Sequence, residues 1–149
     1  MSTDYQSHLG RKLIKYGIIL LLLGLLTGFA IPAMKNPRMG LSSHLEGTLN
    51  GMLLIIFGII WPKLRLSTRA LKWGYGLVLF GTFTNWLTTF VAGIWGAGAE
   101  MMPFAGGDYV GLAWQENLIK LGLLSLSIAM VIVTGILVWG MRGHQLKAK

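Results

Sequence analysis

The chain has 149 residues, enough for one ordinary soluble domain, but 54% of them are hydrophobic and only 12% are charged. Soluble chains carry roughly twice that charged fraction, so a soluble domain is excluded. The absence of cysteine removes thiolate metal sites, cysteine nucleophiles and disulfides, leaving imidazole, carboxylate, amide and hydroxyl groups for any chemistry.

Uncharged runs cover residues 16–31, 47–61, 73–99 and 121–141. A helix needs about 20 mostly apolar residues to cross a bilayer. The expected fold class is therefore all-α, an integral membrane four-helix bundle in a single domain, with spans at about 13–31, 44–61, 72–95 and 117–139. No length remains for a nucleotide- or DNA-binding domain, so function must sit within the spans or at their mouths. The net charge of +8 follows the spans and does not point to nucleic acid. Arg11, Lys12 and Lys15 precede span one, Lys63, Arg65, Arg69 and Lys72 separate spans two and three, and Arg142, Lys147 and Lys149 follow span four. With alternating spans, ten of the thirteen positive charges share one side, against Lys35, Arg38 and Lys120 on the other. The positive-inside rule places that basic side, and both termini, in the cytoplasm of a multi-pass inner-membrane protein. Glu100, Asp108 and Glu116 then lie in the outer connection. Span one lacks a small-residue cleavage site and is followed by further spans, so it reads as a retained helix.

Taken in order, span one stops at Pro32, and Pro37 and Gly40 are expected to keep the following connection non-helical. Ser42 or Ser43 then caps span two, with His44 in its first turn. Span two stops at Trp61-Pro62, and Ser67-Thr68 caps span three, whose interfacial aromatics are Trp73 and Tyr75 at one end and Trp95 at the other. The exit at 96–111, with its glycines and Pro103, is expected to lack regular helix. Span four begins near Glu116 and closes at Trp139. Gly24 with Gly28, Gly47 with Gly51, and Gly51 with Gly58 let helix backbones approach closely, a packing role that outweighs a cofactor role.

Ionisable groups inside a span cost about 2.5–3.5 kcal/mol each on insertion scales, so each needs a reason. His8 and His144 lie in the polar termini. His44 opens span two beside Glu46, with Asn50 about 9 Å deeper, and span three holds Thr82, Thr84, Asn85, Thr88 and Thr89, with Asn85 about 15 Å below Trp95. Gln115 and Glu116 start span four at the same surface. Polar groups from three helices thus gather in the outer half of the protein. For Glu116 a helix-end position favoured by the helix dipole is the stronger reading. At about 100° per residue, Glu46 and Asn50 lie about 40° apart, whereas His44 is about 120° from Asn50. Either the start of span two is irregular, or one pocket draws His44 from one subunit and Asn50 from its neighbour. One histidine is too few for zinc, which usually takes three protein ligands, but enough for an axial bond to haem. The residues alone leave haem ligation, a proton relay and a structural role open.

The stretch HLEGTLNGM, residues 44–52, resembles the membrane isomerases that include hydroxylaminobenzene mutase and styrene oxide isomerase. These share a histidine, four intervening residues and Leu-Asn-Gly-Met. NPRMGLSSHLEGTLNG, IIWPKLRLS, NWL and WGAG look closer to the hydroxylaminobenzene mutase branch. The resemblance implies a homotrimer that binds haem b between subunits, with His44 as axial ligand to the iron and Asn50 positioning a small aromatic substrate. The epoxide isomerases also use a tyrosine in the third span. The region around Thr88 has none, and Tyr75 and Tyr109 lie at other depths, so Asn85, Thr88 or Glu46 is expected to make that polar contact. The implied reaction is a haem-dependent rearrangement of an N-arylhydroxylamine to an ortho-aminophenol, with ferric haem as Lewis acid and Trp86 in the aromatic wall. Isomerisation of an aryl epoxide to an arylacetaldehyde is the alternative within the family. A haem-binding electron carrier and a small transporter using Glu46 are the readings from other classes.

Overall fold

The computed structural model describes residues 3–142, so His144, Lys147 and Lys149 lie outside the described residues. Its helices are α1 (Thr3–Ala30), α2 (Pro37–Ile60), α3 (Thr68–Trp95), the one-turn α4 (Pro103–Gly106) and α5 (Ala113–Met141), with 3-10 turns at Ile31–Ala33 and Trp61–Lys63. The described residues contain no strand. The four long helices are each long and apolar enough to cross a membrane.

Their packing follows chain order. α1 packs on α2, α2 on α3 and α3 on α5, while α1 and α5, at the ends of the row, meet at most marginally. The arrangement is an open row in chain order. Lipid is as apolar as leucine, so burying apolar surface gives little drive for closure, and helices associate where backbones fit closely. Such a fit joins α1 to α2. Gly10, Gly17 and Gly24, spaced by sevens, face Gly58, Gly51 and Gly47, and a Cβ built on Gly24 or Gly47 would sit 2.5 Å from backbone of the other helix. The packing reading of the glycines holds.

At the basic end, Gln6 Nε2 donates to the Leu64 carbonyl at 2.8 Å and Arg65 N–H to the Gly140 carbonyl at 2.9 Å. These bonds fasten the turn after α2 to α1 and α5. Ser67 caps α3 by accepting from Ala70 N–H, as the sequence indicated. At the opposite end Gly96, with φ +63°, terminates α3 in the left-handed conformation, which favours glycine.

The start of α2 corrects the expectation. Pro37 does not break the chain but occupies the first helical turn, behind Asn36 as N-cap, because proline's missing N–H is no loss there and its φ is already helical. Ser42 and Ser43 are therefore interior residues, and Ser43 Oγ donates across to the Trp86 carbonyl at 3.1 Å. Asn36 is fully buried. Its Oδ1 accepts from Arg38 and Met39 N–H while its Nδ2 donates to the carbonyls of Ala105 and Gly106, each at 3.0 Å. Pro103 likewise opens the short α4 instead of excluding helix.

Candidate active site

The unbroken helix from Pro37 puts His44 about 10 Å below the start of α2 instead of in its first turn. Its ring faces α1, where Nδ1 lies 2.8 Å from the Gly24 carbonyl oxygen. A nitrogen facing a carbonyl oxygen must carry the hydrogen, so Nε2 is the nitrogen with the lone pair. Nε2 makes no hydrogen bond among the described residues. Gly28 makes room for the ring, since a Cβ there would sit 3.1 Å from Nδ1.

Glu46 is two residues on, about 200° further round α2, and faces α3. Its Oε2 accepts from Asn50 Nδ2 at 3.1 Å and from Asn85 Nδ2 of α3. Both amides turn their NH2 groups toward the carboxyl oxygen, which accepts from each. Glu46 Oε1, Asn50 Oδ1 and Asn85 Oδ1 are left as acceptors without partners among the described residues. The cluster thus presents three free acceptors and spare amide N–H donors at one level of the α2–α3 interface. Asn50 is 8% exposed, and Glu46 and Asn85 are half-buried.

Other expected residues fall elsewhere. Thr88 packs against α5, its Oγ1 only 2.6 Å from where a Cβ on Gly122 would lie, and it lines an apolar cavity of about 510 Å³ with Thr84, Trp95 and Leu118. It does not join Glu46. Trp86 is committed to packing: Nε1 donates to Thr27 Oγ1 at 3.0 Å, and the ring stacks on Phe90 at 5.5 Å. With Ser43 it locks α1, α2 and α3 together beside the cluster, a role the sequence reading missed. Glu116 is a helix-end residue with a specific task, since Oε1 and Oε2 both accept from Gly98 N–H at 2.9 Å and Oε1 from Gly111 N–H at 2.9 Å. Glu116 and Asn36 together pin the 96–112 connection over the end of the row. His8 is exposed.

Two features of α2 now decide the geometry. The helix is regular through His44 and Asn50, which removes an irregular start as a way to bring them together, and the two side chains face different neighbours. No group of three His, Cys, Asp or Glu side chains among the described residues can hold a bare metal ion. The donor set instead fits a group that brings its own equatorial ligands and needs one imidazole.

The family profile described as styrene oxide isomerase matches residues 9–142. The chain belongs to the styrene oxide isomerase family. Within that family it is 54% identical over 141 residues to hydroxylaminobenzene mutase HabB of Ectopseudomonas oleovorans, covering 95% of this chain and 85% of the relative. It is 43% identical over 124 residues to hydroxylaminobenzene mutase HabA of the same organism, covering 83% of this chain and 92% of that relative. No solved structure matches it. Members of the styrene oxide isomerase family are thus the setting in which His44 and the Glu46 cluster are to be understood.

Proposed function

We propose that this membrane isomerase is a hydroxylaminobenzene-type mutase, converting an N-arylhydroxylamine to an ortho-aminophenol with haem b as cofactor. The family and both relatives carry isomerase or mutase names, and the chain is an isomerase. The observation that carries the substrate assignment is the Glu46–Asn50–Asn85 cluster. It is a carboxylate held by two amides, in a chain whose third span has no tyrosine at the depth expected of an epoxide isomerase. Its free acceptors suit the N–H and O–H donors of a hydroxylamine, which an epoxide lacks.

His44 would hold the haem through Nε2, the Gly24 carbonyl fixing the tautomer and the ring direction. When bound, ferric haem supplies a Lewis acid for the substrate oxygen. The chain's residues do the remainder. Asn50 and Asn85 orient the NHOH group by accepting from it and donating to it. Glu46 stabilises positive charge building on the ring, takes the proton from the ring carbon that gains oxygen, and returns it to nitrogen. The N–O bond is exchanged for a C–O bond with no net electron transfer, so no reductant is needed.

The family resemblance implies a homotrimer, and the opposite facing of His44 and Glu46 on a regular helix supports pockets that take His44 from one subunit and the Glu46 cluster from the next. The basic end would face the cytoplasm, setting the protein in the inner membrane, where an apolar aromatic substrate partitions from the lipid. The test is to supply hydroxylaminobenzene and styrene oxide separately to membranes containing the chain, without reductant. The expected result is 2-aminophenol from the first. Phenylacetaldehyde from the second with no aminophenol from the first would overturn the assignment in favour of the epoxide reading.

A further inference from the structure

At the basic end, two apolar grooves run along α5 on either side of Trp139. One, of about 600 Å³, is lined by Met130, Val131 and Val138 and ends at Arg142. The other, of about 560 Å³, lies between α5 and the start of α3, is lined by Ile132, Ile136 and Ala70, and ends at Arg65 and Ser67. Gly135 and Trp139 line both. Gly135 has no packing partner to explain it: a Cβ there would meet nothing within 4 Å, whereas the glycines of α1 and α2 meet neighbouring atoms at about 3 Å or less. Its missing side chain leaves open space at the residue that the two grooves share.

Charge says what the space suits. The basic end carries Arg11, Lys12, Lys15, Lys63, Arg65, Arg69, Lys72 and Arg142 against one acid, Asp4, and the single ion pair among the described residues, Lys120 with Glu100, lies at the other end. Arg142 stacks over the Trp139 ring at 5.3 Å and lines the first groove. The α3 N-terminus, capped at Ser67, adds the positive end of a helix dipole. Among the described residues none of these basic side chains is in an ion pair, and the phosphate of an anionic lipid would neutralise Arg65 and Arg142.

We propose that this face is a specific site for one anionic diacyl phospholipid of the adjoining leaflet. Its two acyl chains lie in the two grooves, crossing Gly135 and flanking Trp139, and its phosphate rests on Arg65 and Arg142. Arginine suits this role because its planar donor fork matches phosphate oxygens.

Native mass spectrometry of the detergent-purified full chain tests it, with phosphatidylglycerol, phosphatidylcholine of the same chains, and single-chain lysophosphatidylglycerol as probes. One phosphatidylglycerol per subunit is expected, preferred over phosphatidylcholine by about 30-fold, the size that two surface arginines supply. Lysophosphatidylglycerol should bind at least about tenfold more weakly. Arg65→Gln combined with Arg142→Gln should abolish the headgroup preference, and Gly135→Leu, which has open space for its side chain, should displace the lipid without unfolding the protein. Equal retention of the two diacyl lipids by the wild type would overturn the proposal. So would a Gly135→Leu chain that keeps its lipid, or one whose oligomeric mass falls while lipid binding is unchanged, since the latter assigns the face to a second copy.

Discussion

Replacing Glu46 by glutamine is expected to lower kcat for hydroxylaminobenzene by about 10²- to 10³-fold, within the range for loss of a positioned general base. The substitution is informative because of how the cluster is built. Asn50 and Asn85 both donate to one oxygen, Oε2, and a glutamine Oε1 can accept from the same two amides. The link between α2 and α3 therefore survives while the negative charge and the base are removed. Stability should change little, and any bound haem should keep its spectrum. Glu46→Leu, by contrast, leaves two amides without their acceptor, at about 1–3 kcal/mol for each unsatisfied group, and mixes a folding defect with the catalytic one. Measuring kcat in membranes beside the thermal midpoint of purified protein separates the two effects. Near wild-type kcat for Glu46→Gln would remove the carboxylate from the chemistry.

Gly24→Val is expected to be the most damaging change outside the cluster. A Cβ at Gly24 would lie 2.5 Å from Thr48 N and 2.6 Å from the Gly47 carbonyl carbon. Both are backbone atoms of α2 that cannot rotate away. The helices must separate, and overpacking of this kind costs about 1–3 kcal/mol or more. The Gly24 carbonyl, which accepts from His44 Nδ1, moves with α1, so the imidazole loses its orienting partner in the same step. The predicted outcome is a lower thermal midpoint together with weakened haem retention. Gly76→Ala is the control: a Cβ there meets nothing within 4 Å, and replacing glycine by alanine inside a helix should be neutral or stabilise by about 0.5–1 kcal/mol. Wild-type stability for Gly24→Val would mean that the glycine contact does not hold α1 to α2.

What the sequence made legible is what depends on local pattern. Four spans followed from charge spacing, the ends of α2 and α3 from Trp61-Pro62 and Gly96, and the cap of α3 from Ser67. The angular separation of His44 and Asn50 was also legible, because it needs only a regular helix. The start of α2 was misread because proline in a short connection signals both a break and a first helical turn, and only the Asn36 side chain, bonded forward to Arg38 and Met39, distinguishes them. Contacts across long separations left no local trace. Glu46 and Asn85 are 39 residues apart, and Asn36 and Gly106 are 70 apart. Thr88 and Asn85 lie only about 60° apart on α3, too close for periodicity to tell that one faces α5 and the other α2. Glu116 gave the clearest missed signal: a carboxylate in the first turn of a helix, just after a glycine-rich connection, has backbone N–H groups within reach on both sides.

If His44, oriented by the Gly24 carbonyl, presents Nε2 to haem as proposed, the absorption spectrum of detergent-purified wild type will show a Soret band that is lost in His44→Ala. No Soret band in the wild type, or one unchanged in His44→Ala, would contradict that proposal.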